Sequence, residues 1–286
     1  MAKNRSTHHS NRRNRQSDSD LRLRDGLEIP VGDTTMTIRV DQQRATIFLG
    51  DYESSGINLL DPGDLDFEYM QQMTCALDAF IPRPRKVHAL HLGGCACALP
   101  WAWETHRPGS SQVAVEINSD IAQACRALFD LPRSPRLRIR VDDAHRVISS
   151  AKARNYDVIV RDVFNGPHTP RRLRSAQFYR RAHAALADDG ILLVNCGHGR
   201  GFDARGDVAA ALAEFAHVAM VAEGKTLAGG RRGNLVLIAV GAGHPHINRG
   251  WAECQRRLRS LPLSVRFLPR ADVERWVGTT QPIHDE

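Results

Sequence analysis

Val87-His88-Ala89-Leu90-His91-Leu92-Gly93-Gly94-Cys95-Ala96-Cys97-Ala98, read with the later Gln112-Val113-Ala114-Val115-Glu116-Ile117, decides the fold. An apolar run ends in a glycine pair, a helix start follows, and the next apolar run ends in an acid. Glycines after a strand let the backbone turn sharply and approach a ligand, and the helix start behind them offers free N–H donors. The glycine pair alone is a weak signal, because it is not a G-x-G-x-x-G. Glu116 gives it weight, since an acid about twenty residues beyond such a turn can accept both ribose hydroxyls of a nucleoside. Hydrogen bonds to a charged acceptor contribute about 1.5–3 kcal/mol each, enough to orient a ligand. The plainer reading of Glu116 is an exposed charge at a strand end.

Working outward, strands and helices alternate. Residues 87–92, 112–117, 137–141, 156–161, 190–195 and 218–222 read as strands, with helices near 119–129, 144–151, 175–187 and 204–215. Their Val, Ile and Leu runs lack strict alternation, which indicates a sheet covered on both faces. Residues 234–240 form a last strand, joined to its predecessor through Gly229-Gly230-Arg231-Arg232-Gly233. That link is too short for a helical crossover, so the two strands are expected to pair as an antiparallel hairpin. The fold expected is therefore α/β and Rossmann-like: a mostly parallel seven-stranded sheet closed by a C-terminal antiparallel hairpin. This is the order of class I methyltransferases, and a plain dinucleotide-binding domain would continue with parallel strands.

Before this unit, short β-type runs at 35–40, 45–50 and 56–60 read as a small antiparallel meander. A helix follows over 66–80, where Phe67, Met70, Met73, Leu77 and Phe80 recur at three and four residues. Pro82 and Pro84 end it. The organisation expected is a basic arm (1–26), the meander plus helix (27–82), the Rossmann-like domain (83–245) and a C-terminal helical extension (246–286), with helices at 251–258 and 271–277.

The chain has 286 residues, 42% hydrophobic and 25% charged, which is ordinary for a soluble protein with ample core. No apolar run approaches the ~18 residues of a membrane span, and no secretory signal opens the chain, so a cytoplasmic location is expected. The net charge of +7 comes from arginine, the lysines being Lys3, Lys86, Lys152 and Lys225. Lys3, Arg5, Arg12, Arg13, Arg15, Arg22 and Arg24 crowd the first two dozen positions. Such a polar segment reads as a solvated tail. Its alternative is non-specific contact with nucleic acid or anionic lipid, for which no recognition motif is present. The six cysteines (Cys75, Cys95, Cys97, Cys125, Cys196, Cys254) show no paired spacing and read as reduced thiols. His88, His91, Cys95 and Cys97 superficially offer four metal ligands. Three-residue spacing on a strand sends the two histidines to opposite faces, so no metal site is expected.

In a doubly wound sheet, ligands bind at the carboxyl ends of the strands. Three acids stand there: Glu116, Asp143 and Asp162. Asp143 is suited to accept from an adenine amino group, and Asp142 or Asp143 is equally suited to cap the next helix; the two roles are compatible.

The residues from 87 to 241 resemble the spermidine synthase (polyamine aminopropyltransferase) family. The matches are His91-Leu92-Gly93-Gly94, Val115-Glu116-Ile117, Asp143-Ala144, Tyr156-Asp157-Val158-Ile159-Val160-Arg161-Asp162, Gln177-Phe178-Tyr179, Gly190-Ile191-Leu192-Leu193-Val194-Asn195 and Gly233-Asn234-Leu235-Val236. Ser55-Gly56-Ile57 and Tyr69 match the family's small N-terminal β domain. The resemblance implies a transferase of polyamine biosynthesis whose co-substrate is decarboxylated S-adenosylmethionine, or S-adenosylmethionine itself, with no prosthetic group. It implies that Gly93, Gly94, Cys95, Glu116, Ile117, Asp143 and Ala144 hold this donor, with Glu116 on the ribose and Asp143 on the adenine. It makes Asp162 the catalytic acid–base residue, sets Tyr69 and Asn165 toward the acceptor, and suggests a homodimer. An attacking amine arrives protonated, with a pKa near the ~10.4 of lysine, and a carboxylate at the strand end can orient it and take its proton.

Four departures accompany the matches. Asn165 and Ala96 stand where the family carries acids, Cys95 and Cys97 replace two loop glycines, and Leu60-Asp61-Pro62-Gly63 replaces a glutamine segment. The segment 162–170 instead resembles the D-x-F-x-G-x-x-x-P loop of the family's divergent branch of spermidine synthase-like proteins. Methyl transfer from S-adenosylmethionine to a small molecule, or a non-catalytic relative, are the alternatives this leaves.

Overall fold

A computed structural model describes residues 22–285. Most of the basic arm, and the expectation of a solvated tail or nucleic-acid contact with it, lies outside the described residues. Among the described residues the chain opens with a four-stranded antiparallel meander, β1 (Leu27–Val31), β2 (Thr34–Asp41), β3 (Arg44–Leu49) and β4 (Tyr52–Asn58). Three strands were expected. Pro30 masks β1, because proline cannot donate to a central ladder; β1 is in fact an edge strand, where proline is tolerated. The strand expected at 56–60 starts at Tyr52 and stops at Asn58, whose Oδ1 accepts from the N–H groups of Leu60 and Asp61 at 3.1 Å each, an Asx turn that ends it.

Helix α1 (Glu68–Phe80) follows, starting two residues later than expected, with Met70, Met73, Leu77 and Phe80 buried as their spacing requires, Phe67 half-buried at its N-cap and Tyr69 buried beside them. Then come β5 (His88–Leu92), α2 (Ala98–His106), β6 (Ser111–Glu116), α3 (Ser119–Leu128), β7 (Leu137–Val141) and α4 (Ala144–Ser149). The chain continues through β8 (Tyr156–Arg161), α5 (Ala176–Ala185), β9 (Leu186–His198), α6 (Arg205–Glu214), β10 (His217–Ala222), the single turn α7 (Gly224–Leu227) and β11 (Gly233–Val240). It closes with α8 (Ile247–Leu258), β12 (Arg266–Pro269) and α9 (Arg270–Val277). The second sheet runs in the order β12-β10-β11-β9-β8-β5-β6-β7. Strands β5 to β9 pair in parallel, and β11 is antiparallel to both β9 and β10, so the expected hairpin is present.

The described sheet has eight strands rather than seven. The extension expected to be helical supplies β12, which pairs antiparallel with β10 from Ala219↔Pro269 to Ala222↔Arg266. Four residues are too few for alternation to announce a strand.

Unbroken apolar runs arise because successive side chains enter two different cores. Val158 and Val160 of β8, with Ile191 and Leu193 of β9, join one cluster; Ile159, Leu192 and Val194 join the other. The first cluster also takes in Met36, Ile38 and Ile47 of the meander and Met73 and Leu77 of α1. The meander thus shares a continuous core with the larger sheet on the side where α1 lies. From β5 the chain moves outward through β6 to β7, then returns to β8 on the other side of β5. That reversal opens a crevice at the carboxyl ends of β5 and β8.

Candidate active site

Gly93 leaves β5 with φ +95°, and a Cβ there would stand 2.0 Å from the backbone oxygen of Asp162. The backbones at the ends of β5 and β8 therefore touch, and no other residue fits. The N–H of Asp162 donates to Leu92 O at 2.8 Å, and that of Gly93 to Val115 O at 3.1 Å. Glu116 fastens the loop: Oε2 accepts from the N–H of Cys95 at 2.9 Å, and Oε1 from that of Asn118 at 2.9 Å. Ile117 beside it is 71% exposed, an apolar side chain on the crevice rim with nothing covering it.

Cys95 and Cys97 keep the left-handed backbone a glycine loop needs, with φ +34° and +58°. A side chain in this region costs roughly 1–2 kcal/mol per residue, so the loop conformation is held by its surroundings. Burial pushes both thiols up, Cys97 to about 12, and Glu116 raises Cys95 further. Neither is ionised near neutrality. His91 is core: it bonds Gln112 at 3.0 Å, stacks on Trp103, and burial lowers it to about 4. His88 instead bonds Asn155 O at 2.7 Å. Among the described residues no set of three or more His, Cys, Asp and Glu converges as metal ligands.

At the end of β7 the two aspartates divide the work. Asp143 caps α4, its Oδ1 accepting from Arg146 N–H at 2.7 Å. Asp142 binds the guanidinium groups of Arg140 and Arg146, hydrogen bonding to Arg146 being the main reason that its carboxyl is lowered. Asp143 Oδ2 takes no part in this cap, and the adjacent Ala144 is buried.

Asp162 is the centre of the arrangement. Its Oδ2 accepts from Tyr69 Oη at 2.7 Å and its Oδ1 from Asn195 Nδ2 at 2.9 Å. Tyr69 arrives on α1 and Asn195 on β9, so three elements converge on one carboxylate. Burial raises Asp162, while the bonds from Asn195 and Tyr69 and the charge of Arg161 pull it back. A half-buried carboxylate held by two donors and poised upward suits a proton acceptor. Asn195 is 2% exposed, and its Oδ1 has no partner.

Beneath Asp162 lies an ion pair that the sequence reading did not find. Arg161 donates to both oxygens of Asp207 at 2.8 Å, to Leu173 O at 2.7 Å and to Asn195 O at 3.2 Å, while Tyr179 Oη donates to Asp207 at 2.6 Å. Its signal was the charge itself: an arginine inside an otherwise apolar strand demands a buried partner. Asn195 was also readable as the polar residue closing the apolar run 190–195, although β9 itself continues to His198. Asn165 sits apart from this group; its backbone closes a turn with His168 (2.7 and 3.2 Å) and it is exposed.

No family model matches the chain. It is 32% identical over 139 residues to the polyamine aminopropyltransferase of Vibrio vulnificus, covering 47% of this chain and 46% of that protein. A probable spermidine synthase from Corynebacterium glutamicum superposes with a TM-score of 0.84 at 29% identity, over 92% of this chain and 98% of that one. The chain is thus similar to the polyamine aminopropyltransferases in sequence and in fold. In sequence it aligns with about half the length of the curated relatives it matches. Human methyltransferase-like protein 13, solved in complex with SAH, shares the fold at a TM-score of 0.55 and 22% identity, over 70% of this chain and 96% of that one. The α/β architecture with the class I methyltransferase strand order is thereby established from both directions.

Proposed function

We propose that this protein is an aminopropyltransferase: it transfers the aminopropyl group of decarboxylated S-adenosylmethionine to an amine. The observation that carries this reading is Asp162, held by Tyr69 and Asn195, at the strand end that touches the Glu116-anchored glycine loop. The names of its homologues support the reaction class.

Glu116 uses one lone pair on each oxygen for Cys95 and Asn118, and the remaining lone pairs take the ribose hydroxyls. Ile117 offers its exposed side chain to the adenine face, and Asp143 Oδ2 accepts from the adenine amino group. Asp162 orients the incoming ammonium and takes its proton. The freed nitrogen lone pair then attacks the carbon bonded to the sulfonium; a C–N bond forms, the C–S pair returns to sulfur, and a neutral thioether leaves. Tyr69 and Asn195 hold the carboxylate in line.

A second reading, methyl transfer from S-adenosylmethionine, is favoured by one observation: Ala96 in the donor loop is fully buried and uncharged, so nothing at that position selects an aminopropyl ammonium. A thermal-shift panel of decarboxylated S-adenosylmethionine, S-adenosylmethionine, methylthioadenosine and S-adenosylhomocysteine separates the two. Stabilisation by the first and third supports aminopropyl transfer, by the second and fourth methyl transfer, and by none of them refutes both.

A further inference from the structure

The loop after Asp162 is bordered by aromatic rings and a guanidinium. Tyr52, at the start of β4, lies 3.9 Å from where a Cβ on Gly166 would stand, and Phe164 lies 3.7 Å from the same point on Gly197. Gly197 pairs with Asn234 and His198 with Gly233, so the next residue back along the hairpin, Arg232, stands at this rim. Its guanidinium carbon lies 4.1 Å from the ring centre of Phe202 and 5.9 Å from that of Tyr52. His168 stacks on the other ring neighbour, Phe202, at 4.9 Å.

Two of the nearby charges are already paired. Arg231 faces Glu223 at 3.6 Å, and Asp203, next to Phe202, is bound by Arg205 at 2.8 Å. Among the described residues Arg232 has rings but no carboxylate as partner. A guanidinium laid on an aromatic face keeps its in-plane N–H fork free for a bidentate anion. Asn165, in the same loop, adds no negative charge. At this rim the exposed guanidinium of Arg232 favours an anion over a second ammonium.

We propose that the acceptor is an amine whose far end carries a carboxylate, the ammonium meeting Asp162 and the carboxylate meeting Arg232. The inference rests on the transferase reading above. The chemistry is unchanged: the amine loses one proton to Asp162, its lone pair forms the C–N bond, and the C–S pair leaves with sulfur as a thioether. The carboxylate stays ionised throughout and takes no part in bond making.

The test compares matched acceptors with the full chain and decarboxylated S-adenosylmethionine: the ω-amino acids of three to five carbons against the diamines of equal length, with products followed by mass spectrometry. The amino acid series is expected to exceed the diamines in kcat/KM by roughly tenfold or more, the size of one charge-assisted hydrogen bond. Arg232→Glu should reverse the preference, Arg232→Lys should retain part of it, and Arg231→Ala should leave the ratio unchanged. A diamine preference that Arg232→Glu does not move would overturn the proposal. So would failure of both series in a protein that methylthioadenosine still stabilises. Loss of that stabilisation as well would instead overturn the transferase reading itself.

Discussion

Replacing Tyr69 with phenylalanine removes the O–H that donates to Asp162 Oδ2 over 2.7 Å and leaves the ring that packs α1. Burial, and then the neighbouring Asp162 charge, push the Tyr69 phenol well above its usual range, so it remains protonated and acts as a donor throughout. That bond favours the ionised carboxyl over the acid. Burial already raises Asp162, and Tyr69 is one of the few influences opposing it. A hydrogen bond to a charged group is worth about 1.5–3 kcal/mol. Its loss moves the protonation equilibrium of Asp162 roughly ten- to a hundredfold toward the acid. In a pH profile of kcat/KM the acid limb should therefore move to higher pH, while the rate well above it returns toward wild type. Carbon NMR of the Asp162 carboxyl reads the same shift without turnover. An acid limb and a carboxyl titration that both stay in place would refute the claim that Tyr69 sets the ionisation of Asp162.

Asp162→Asn is expected to abolish turnover while calorimetry finds nucleoside affinity within about threefold of wild type, a small energy by comparison with one charged hydrogen bond. Because the folded protein raises Asp162, its stability is full below the ordinary aspartate range and declines as pH rises through the raised value. The Asn variant should accordingly have the higher Tm at alkaline pH, and the difference should vanish near about pH 4; a gap that widens in acid would contradict the sign. Gly93→Ala would drive a Cβ to 2.0 Å from Asp162 O, and urea denaturation should show a loss of about 1–3 kcal/mol or more. Unchanged stability there would show that β5 and β8 do not meet as described. Asp207→Ala leaves Arg161 buried without its acid and should cost about 3–5 kcal/mol, most of it recovered in an Arg161→Met, Asp207→Leu pair. A loss below about 1 kcal/mol would remove the ion pair from the account.

What the sequence made legible was whatever has a period or a fixed place. The βα alternation, the hairpin after β10, and the strand-end acids Glu116, Asp143 and Asp162 all followed from patterns that local chemistry imposes. The strand β1 did not, because Pro30 mimics a break and only its edge position excuses it. The strand β12 did not, because a strand of four residues borrows its identity from the β10 it pairs with. Within the site, the resemblance set Tyr69 toward the acceptor, which does not by itself say that it holds Asp162. Its bond to Asp162 spans 93 positions of sequence, and Arg161 and Asp207 are 46 apart. Contacts of this kind are set by how layers stack. The rim formed by Tyr52, Phe202 and Arg232 is of the same kind, assembled from the start of β4 and two loops with no shared motif. The left-handed Cys95 and Cys97 add the reverse lesson: in the sequence they replace two loop glycines, yet tertiary contacts hold them in the left-handed backbone.

The central claim is that Glu116 closes the glycine loop into a nucleoside site. Calorimetric titration of methylthioadenosine into the full chain and into Glu116→Ala tests it directly, with the Tm of each checked beforehand. Wild-type protein should bind, and the variant should lose at least about a hundredfold in affinity, the equivalent of two charge-assisted hydrogen bonds. Absence of binding by the wild type, or equal affinity in a folded Glu116→Ala variant, would contradict it.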